Sequence, residues 1–376
     1  MQFVNRTSLA ACLGNACAYA VPNTSPLVLG ALMTSFSINE AQAGALVTVE
    51  LLAMGVASLL IAPGLRGPRK RPTALLGTGI IAVSEAAAAL SSSGDWIFVW
   101  MAGVGLGAGL LLAALNAIIA STQTPDKLFG YALMTAYGVT ALLVFAMTPA
   151  IAKAGSAGAF AVLAAFTVIT LPCLRMFPRE GGEATAATSA SQFFWRRGSV
   201  LMFGIAVIGL AMMGFYAYIE RLGVRIGLSL DTIGTVFALQ QVASVVGSAL
   251  AARYGVRVGL VRSLVTGTSL HTVAVLVAVF GNTVTSFSLG VISEGFTFLF
   301  LLPVLFTVAA ELDPNGRWAA AANGALFIST GAAPFVLGAL IGVFNYPVIG
   351  WTMLAATPVG LWAFVSSSRR SEITDP

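Results

Sequence analysis

Five ionisable side chains stand inside long apolar stretches of this sequence: Glu50, Glu85, Glu220, His271 and Glu294. A charge at the centre of a bilayer costs about 2.5–3.5 kcal/mol on insertion scales, which makes such groups functional candidates by default. The chemistry open to the carboxyls is exchange of protons and binding of a polar or cationic ligand. Amides and phenols accompany them. Asn15, Tyr19 and Asn23 follow one another at intervals of four, which puts them on one helix face. Pro22 and Pro26 remove backbone donors beside that face and favour a kink that frees carbonyl oxygens. Asn116, Tyr216, Gln240, Gln241 and Asn323 complete the candidate ligand contacts, and Arg221 and Arg225 are the nearest cations. Metal chemistry is not expected. His271 is the single histidine, and Cys12, Cys17 and Cys173 sit in apolar runs with no Cys/His ligand cluster. No cofactor is expected either. A membrane enzyme would need a polar cluster such as paired carboxylates with a histidine, and His271 is remote in sequence from every partner.

The elements that must position these residues follow from composition. Of 376 residues 58% are hydrophobic and 9% charged, against roughly 25% charged in a soluble domain. Most of the surrounding solvent must therefore be lipid. A hydrocarbon core of ~30 Å takes about 20 apolar residues per helix. Cutting at polar and Gly/Pro punctuation gives spans near 8–35, 41–63, 73–93, 96–120, 129–152 and 157–177. A second set lies near 198–220, 232–252, 259–280, 284–309, 318–342 and 347–366. The joints at 93–96 and 152–157 are short, so hydropathy alone admits ten to twelve spans. The N-terminal stretch from Thr7 to Phe36 is expected to be a span, being longer than the roughly 7–15 residues of a signal-peptide core.

Charge settles the frame. Of the 19 Lys and Arg, only Lys153, Arg221 and Arg225 fall on one side; the remainder fall on the other. Basic loops mark the cytoplasmic side, so both termini are expected there and the span count is even. The net charge of +5 lies in these short loops, which argues against nucleic acid as a partner. The expected partners are a small-molecule substrate, protons and membrane lipid, with the chain acting as a monomer in a bacterial-type inner membrane.

The polar stretch GGEATAATSASQ lies between Arg179 and Arg196–Arg197. It suits a cytoplasmic linker, dividing the chain into 1–177, 178–197 and 198–376. An internal repeat supports the division. Gly67 and Gly255 lie in basic loops, Pro125 and Pro314 in polar ones, and Gly44 and Gly234 follow related Ser-x-Asn and Ser-x-Asp turns. Each pair is offset by nearly half the chain, as in parallel-repeat transporters.

On these residues the sequence resembles the major facilitator superfamily. The family's loop motif has the form G-x-L-A-D-R-x-G-R-[RK]. Ser248-Ala249-Leu250-Ala251-Ala252-Arg253-Tyr254-Gly255-Val256-Arg257 is the better copy, and 62–70 the weaker one. Both copies lack the Asp, replaced by Ala252 and Gly64. Gly103, Gly105, Gly107 and Gly109 are similar to the family's span-four glycine run, with Trp100 where a proton-coupling Arg stands in the family. Inside an apolar span such a run serves close helix packing and lacks the strand context of a nucleotide fingerprint.

The resemblance implies an all-α membrane protein, with twelve transmembrane helices in two pseudo-symmetric six-helix bundles. It also implies that spans one, four, seven and ten line a central cavity, with two, five, eight and eleven at the seam. Glu294, on span ten, then becomes the leading candidate for substrate or proton binding, beside a structural carboxyl as the alternative. Glu50, matched by Gln240 in the repeat, is a second candidate proton site. Glu85 and His271 read as neutral groups bonded to neighbouring helices.

The candidate cavity offers carboxyls and amides but no central cation. Anion carriers commonly hold carboxylates with Arg. The leading functional expectation is therefore secondary active transport by alternating access, with proton-coupled efflux of a cationic, neutral or amphiphilic compound. Uptake of an organic acid by proton symport, with Arg221 or Arg225 as anion contact, is the alternative. A receptor or assembly protein on the same fold is the reading from a different class.

Overall fold

The structure is a computed structural model describing residues 6–61, 65, 69–120, 122, 125–177, 195–254, 259–312 and 317–368. Among these residues all regular structure is helical. In chain order the helices are α1 (Arg6–Ala18), α2 (Ala20–Phe36), α3 (Glu40–Ile61), α4 (Lys70–Ala89), α5 (Gly94–Ala120), α6 (Pro125–Leu174) and α7 (Trp195–Ala217). They continue as α8 (Ile219–Arg225), α9 (Leu230–Tyr254), α10 (Leu260–Phe280), α11 (Val284–Glu311), α12 (Arg317–Phe344) and α13 (Pro347–Ser368).

Twelve crossings are distributed over these thirteen helices for local reasons. Span one is broken between α1 and α2 at Tyr19. Pro22 has no N–H to give the carbonyl of Ala18, so the helix loses one bond at that turn. Span seven is broken in the same manner between α7 and α8 at Tyr218, and no proline marks the place. Spans five and six, the 50 residues of α6, are two helices meeting at a kink, and at ~1.5 Å per residue they total about 75 Å, enough for two crossings of a ~30 Å hydrocarbon core. The reversal sits at Gly155, at φ 56° and ψ −138°, a conformation that glycine adopts without a side-chain clash. Ser156 N–H donates to Ser35 Oγ at 2.9 Å and pins this turn to the end of α2.

The two halves repeat each other in packing as well as in length. Asn39 caps α3 through a reciprocal pair with Gln42, and Ser229 caps α9 through the N–H of Thr232. α3 crosses α5 where Gly105 abuts the carbonyl of Glu50, and α9 crosses α11 where Gly295 abuts that of Gln240. Gly77 and Gly267 pack α4 and α10 onto α5 and α11 in turn. Each of these matched positions lies 190 residues from its partner. The remaining glycines of the span-four run are used alike, Gly103 on Ser84, Gly107 on Gly77 and Gly109 on Met54. Small residues let backbones approach where lipid supplies no hydrophobic drive between helices. The outward faces carry Leu59, Leu60, Leu90, Ile169 and Ile328, each well exposed, as a lipid-facing surface requires.

Residues 178–194 of the expected 178–197 linker lie outside the described residues, as do the chain ends, Gly67, Gly255, Arg257, Pro314 and the side chain of Asn323. α7 already includes Trp195, Arg196 and Arg197, so the helix starts inside the segment expected to be linker.

Candidate binding cavity

The halves join along α3 with α12 and α6 with α9, which are spans two with eleven and five with eight. A seal of polar contacts gathers at one end of this seam. Tyr218 Oη lies 2.8 Å from the carbonyls of both Glu40 and Pro334, which share its single proton. Tyr346 Oη donates to Glu40 Oε1 at 3.0 Å. Arg221 pairs with Glu220 and also donates to the Gly30 carbonyl at 2.7 Å and Thr34 Oγ1 at 3.1 Å. Gly30 leaves no room for a Cβ against the Glu220 side chain, nor Gly44 against the Pro334 carbonyl, so the halves meet here at glycine backbone.

From that seal toward the Arg6 end, the helices enclose a cavity of about 270 Å³. Its wall is mainly aromatic and aliphatic, including Tyr137, Met212, Phe298, Phe306 and Phe327. Six of the residues expected from sequence belong to the wall: Tyr19, Asn23, Tyr216, Gln240, Gln241 and Glu294.

Hydrogen bonds link five of these six into one chain across the halves. Gln240 Nε2 donates to Glu294 Oε2 at 2.6 Å. Gln241 Nε2 donates to Gln240 Oε1 at 2.9 Å and, at 3.4 Å, to Tyr216 Oη. Tyr216 Oη donates to the backbone carbonyl of Asn23. Asn23 Nδ2 in turn donates to Thr140 Oγ1 at 3.3 Å, anchoring the chain to α6. A carboxyl on α11 is thus connected through α9 and α7 to α2. The arrangement offers one carboxyl and several amide and phenol groups to a ligand, against aromatic faces.

The other expected residues lie elsewhere. Asn15 Nδ2 donates to the Ala132 carbonyl at 3.1 Å and ties α1 to α6 behind the wall. Asn116 is exposed on α5 and is not part of the wall. Arg221 is occupied in the seal, and Arg225 stands 5.9 Å over the ring of Tyr346. Glu50 is fully buried one residue from Leu51 of the wall but does not reach it; neither of its carboxyl oxygens has a hydrogen-bond partner. It interacts electrostatically with Glu85, likewise fully buried on α4. His271 Nδ1 lies 3.0 Å from Thr297 Oγ1, joining α10 to α11 as a neutral group would. Trp100 donates to Ser91 Oγ at 2.8 Å and stacks on Trp96.

Sequence reasoning missed Tyr137, Ser244 and the phenylalanines of α11 and α12. Tyr137 stands one turn after Leu133, also of the wall, and three residues before Thr140, which Asn23 contacts. That face was legible only once Asn23 had been placed against α6.

Transporters are among the solved structures that share this arrangement. A bacterial homologue of the human lysosomal transporter Spinster, inward-facing and unoccupied, matches with a TM-score of 0.71 at 15% identity, covering 98% of both chains. A D-xylose–proton symporter matches at 0.74 and 14% identity, covering 97% of each. The human organic anion transporter MFSD10 matches at 0.69 and 16%, covering 96% of this chain and 99% of its own. No curated protein matches the sequence. A profile described as Major Facilitator Superfamily matches residues 11–230. A match across more than half of the 376 residues, on this twelve-span framework, shows that the chain belongs to the Major Facilitator Superfamily.

Proposed function

We propose that the chain is a secondary active transporter that exports a small organic cation or neutral amphiphile by alternating access, in exchange for protons. The observation that carries this reading is the charge of the cavity wall. Among its described residues Glu294 is the one acid, and no Lys or Arg accompanies it. A carboxyl in such a wall serves a cation in its charged form and is relieved of charge by a proton, which is the competition that antiport requires. Glu50 is the second proton-exchanging group in this reading, held behind the wall beside Glu85. The organic-acid reading depended on Arg221 and Arg225, and both are engaged in or beside the seal.

The reading is tested by reconstitution. Proteoliposomes with an imposed pH gradient should accumulate a labelled organic cation against its own gradient, and dissipating the pH gradient should release it. Binding without any accumulation would point instead to a receptor on this fold.

Two smaller expectations belong here. With basic loops cytoplasmic, a cysteine at Ser189 in a Cys-free background should resist an impermeant reagent added outside intact cells; modification would reverse the orientation and put the seal on the cytoplasmic side. In span one, Tyr19→Leu and Asn23→Leu should weaken ligand binding. Asn15→Leu should leave affinity unchanged and cost about 0.6–1.7 kcal/mol of stability, the range for one interhelical hydrogen bond in a bilayer. Equal loss of affinity in all three would place Asn15 in the ligand's reach after all.

A further inference from the structure

Five hydroxyl side chains belong to the described wall of the cavity: Tyr19, Tyr137, Tyr216, Ser244 and Thr330. A hydroxyl has one hydrogen to give. Tyr216 gives its hydrogen to the Asn23 carbonyl, Ser244 to that of Gln240 and Thr330 to that of Phe327. Tyr19 and Tyr137 keep theirs. Neither hydroxyl has a hydrogen-bond partner among the described residues, and neither is shut off from open space. A donor sealed in an apolar wall is costly, whereas one that opens onto a cavity is available to a ligand.

The fold sets these two phenols side by side. Asn15 Nδ2 reaches the Ala132 carbonyl at 3.1 Å and Asn23 Nδ2 reaches Thr140 Oγ1 at 3.3 Å, both across an interval of 117 residues. Span one therefore runs parallel to α6 in a single register through its break. Tyr19, midway between the two asparagines, falls opposite Ala136 and next to Tyr137. The Tyr137 phenol interacts electrostatically with those of Tyr19 and Tyr216 and with the Glu294 carboxyl, so the pair and the acid face one space. A carbonyl oxygen suits such a pair, because it accepts twice and brings no hydrogen of its own. Resting on the reading of this cavity as the substrate site, we infer that Tyr19 and Tyr137 form a second subsite within it, which donates O–H to a carbonyl oxygen of the ligand. The substrate is then an amine or neutral amphiphile that carries a ketone, ester or amide.

The experiment compares 4-dimethylamino-1-phenylbutan-1-one with N,N-dimethyl-4-phenylbutan-1-amine, in which CH2 replaces the carbonyl, for binding to the purified protein at pH 7. 4-Phenylbutyrate serves as the anionic control. Tyr19→Phe and Tyr137→Phe each remove one O–H that has no partner in the protein, so folding should be retained. Each should weaken the aminoketone roughly five-fold, as one hydrogen bond provides, and shift the hydrocarbon amine less than about two-fold. The carbonyl stretch of the ketone bound to the unaltered protein should lie below its position in hexane, a readout that requires no variant. Ketone affinity indifferent to both substitutions, or equal losses for the two amines, overturns the inference. So does a carbonyl band at its hexane position. In each of those cases, amines still binding above phenylbutyrate leave the proposed function standing. Phenylbutyrate binding tightest overturns the functional reading itself, and the phenol subsite survives that result only if both substitutions weaken the carboxylate.

Discussion

Glu294→Gln is expected to abolish accumulation driven by a pH gradient while the folded yield stays near that of the unaltered chain. The substitution keeps the volume and one oxygen, so Gln240 Nε2 retains an acceptor and the chain to Tyr216 and Asn23 is preserved. What disappears is the ability to gain and lose a proton. Without that, ligand and proton no longer compete for one group, and the imposed gradient performs no work on the ligand. Downhill exchange of a neutral amphiphile should persist, because its binding depends on the aromatic wall. The affinity of a cation should fall at least ten-fold and should cease to vary with pH. Accumulation that survives with its pH dependence intact would move the coupling role to Glu50. In that case Glu50→Gln should produce the loss instead.

These two carboxyls show where legibility ended. In sequence Glu50 and Glu294 are alike, each a lone acid in an apolar span, and hydropathy ranks them equally. Helix rotation separates them: α11 turns Glu294 into the cavity, whereas Glu50 on α3 is fully buried outside its wall. Rotation depends on packing at Gly105 and Gly295, whose contacts are long-range and invisible to a window of neighbouring residues. Span number and the duplicated halves were legible because span length, punctuation and the 190-residue spacing are all properties of the chain alone. The break at Tyr19 had a signal in Pro22; the break at Tyr218 had none, since it depends on Tyr218 reaching Glu40 and Pro334 in other helices. Gln240 was marked by its match to Glu50, but its bond to Glu294 spans 54 residues and two helices. Arg221 was read as free to meet an anion because the sequence does not show Gly30 and Thr34 beside it.

The same placement of Arg221 and Arg225 carries the second expectation, that organic cations and neutral amphiphiles bind more tightly than carboxylates of matched size. Two unit charges ~4 Å apart attract by about 4 kcal/mol at an effective dielectric near 20, and repel by as much when alike. A carboxylate entering this cavity meets Glu294 and no described Lys or Arg in the wall. It escapes that repulsion only when one of the two carboxyls, its own or that of Glu294, carries a proton. Helix ends can hold an anion without a cation, yet at the break in span one the Ala18 carbonyl freed by Pro22 is an acceptor, which an anion avoids. Binding of N,N-dimethyl-2-naphthylmethylamine and of 2-naphthylacetate across pH 5–8 measures the preference directly. A carboxylate that nevertheless binds tightest should be held by Arg221 or Arg225 after the seal has rearranged, and Arg221→Gln or Arg225→Gln should then abolish its binding. A tight carboxylate indifferent to both substitutions would mean that the charge of this wall does not select the ligand. Its affinity would then have to come from the amides and phenols of the chain linking Glu294 to Asn23, and Tyr216→Phe, which removes the donor to Asn23, would be the substitution that weakens it.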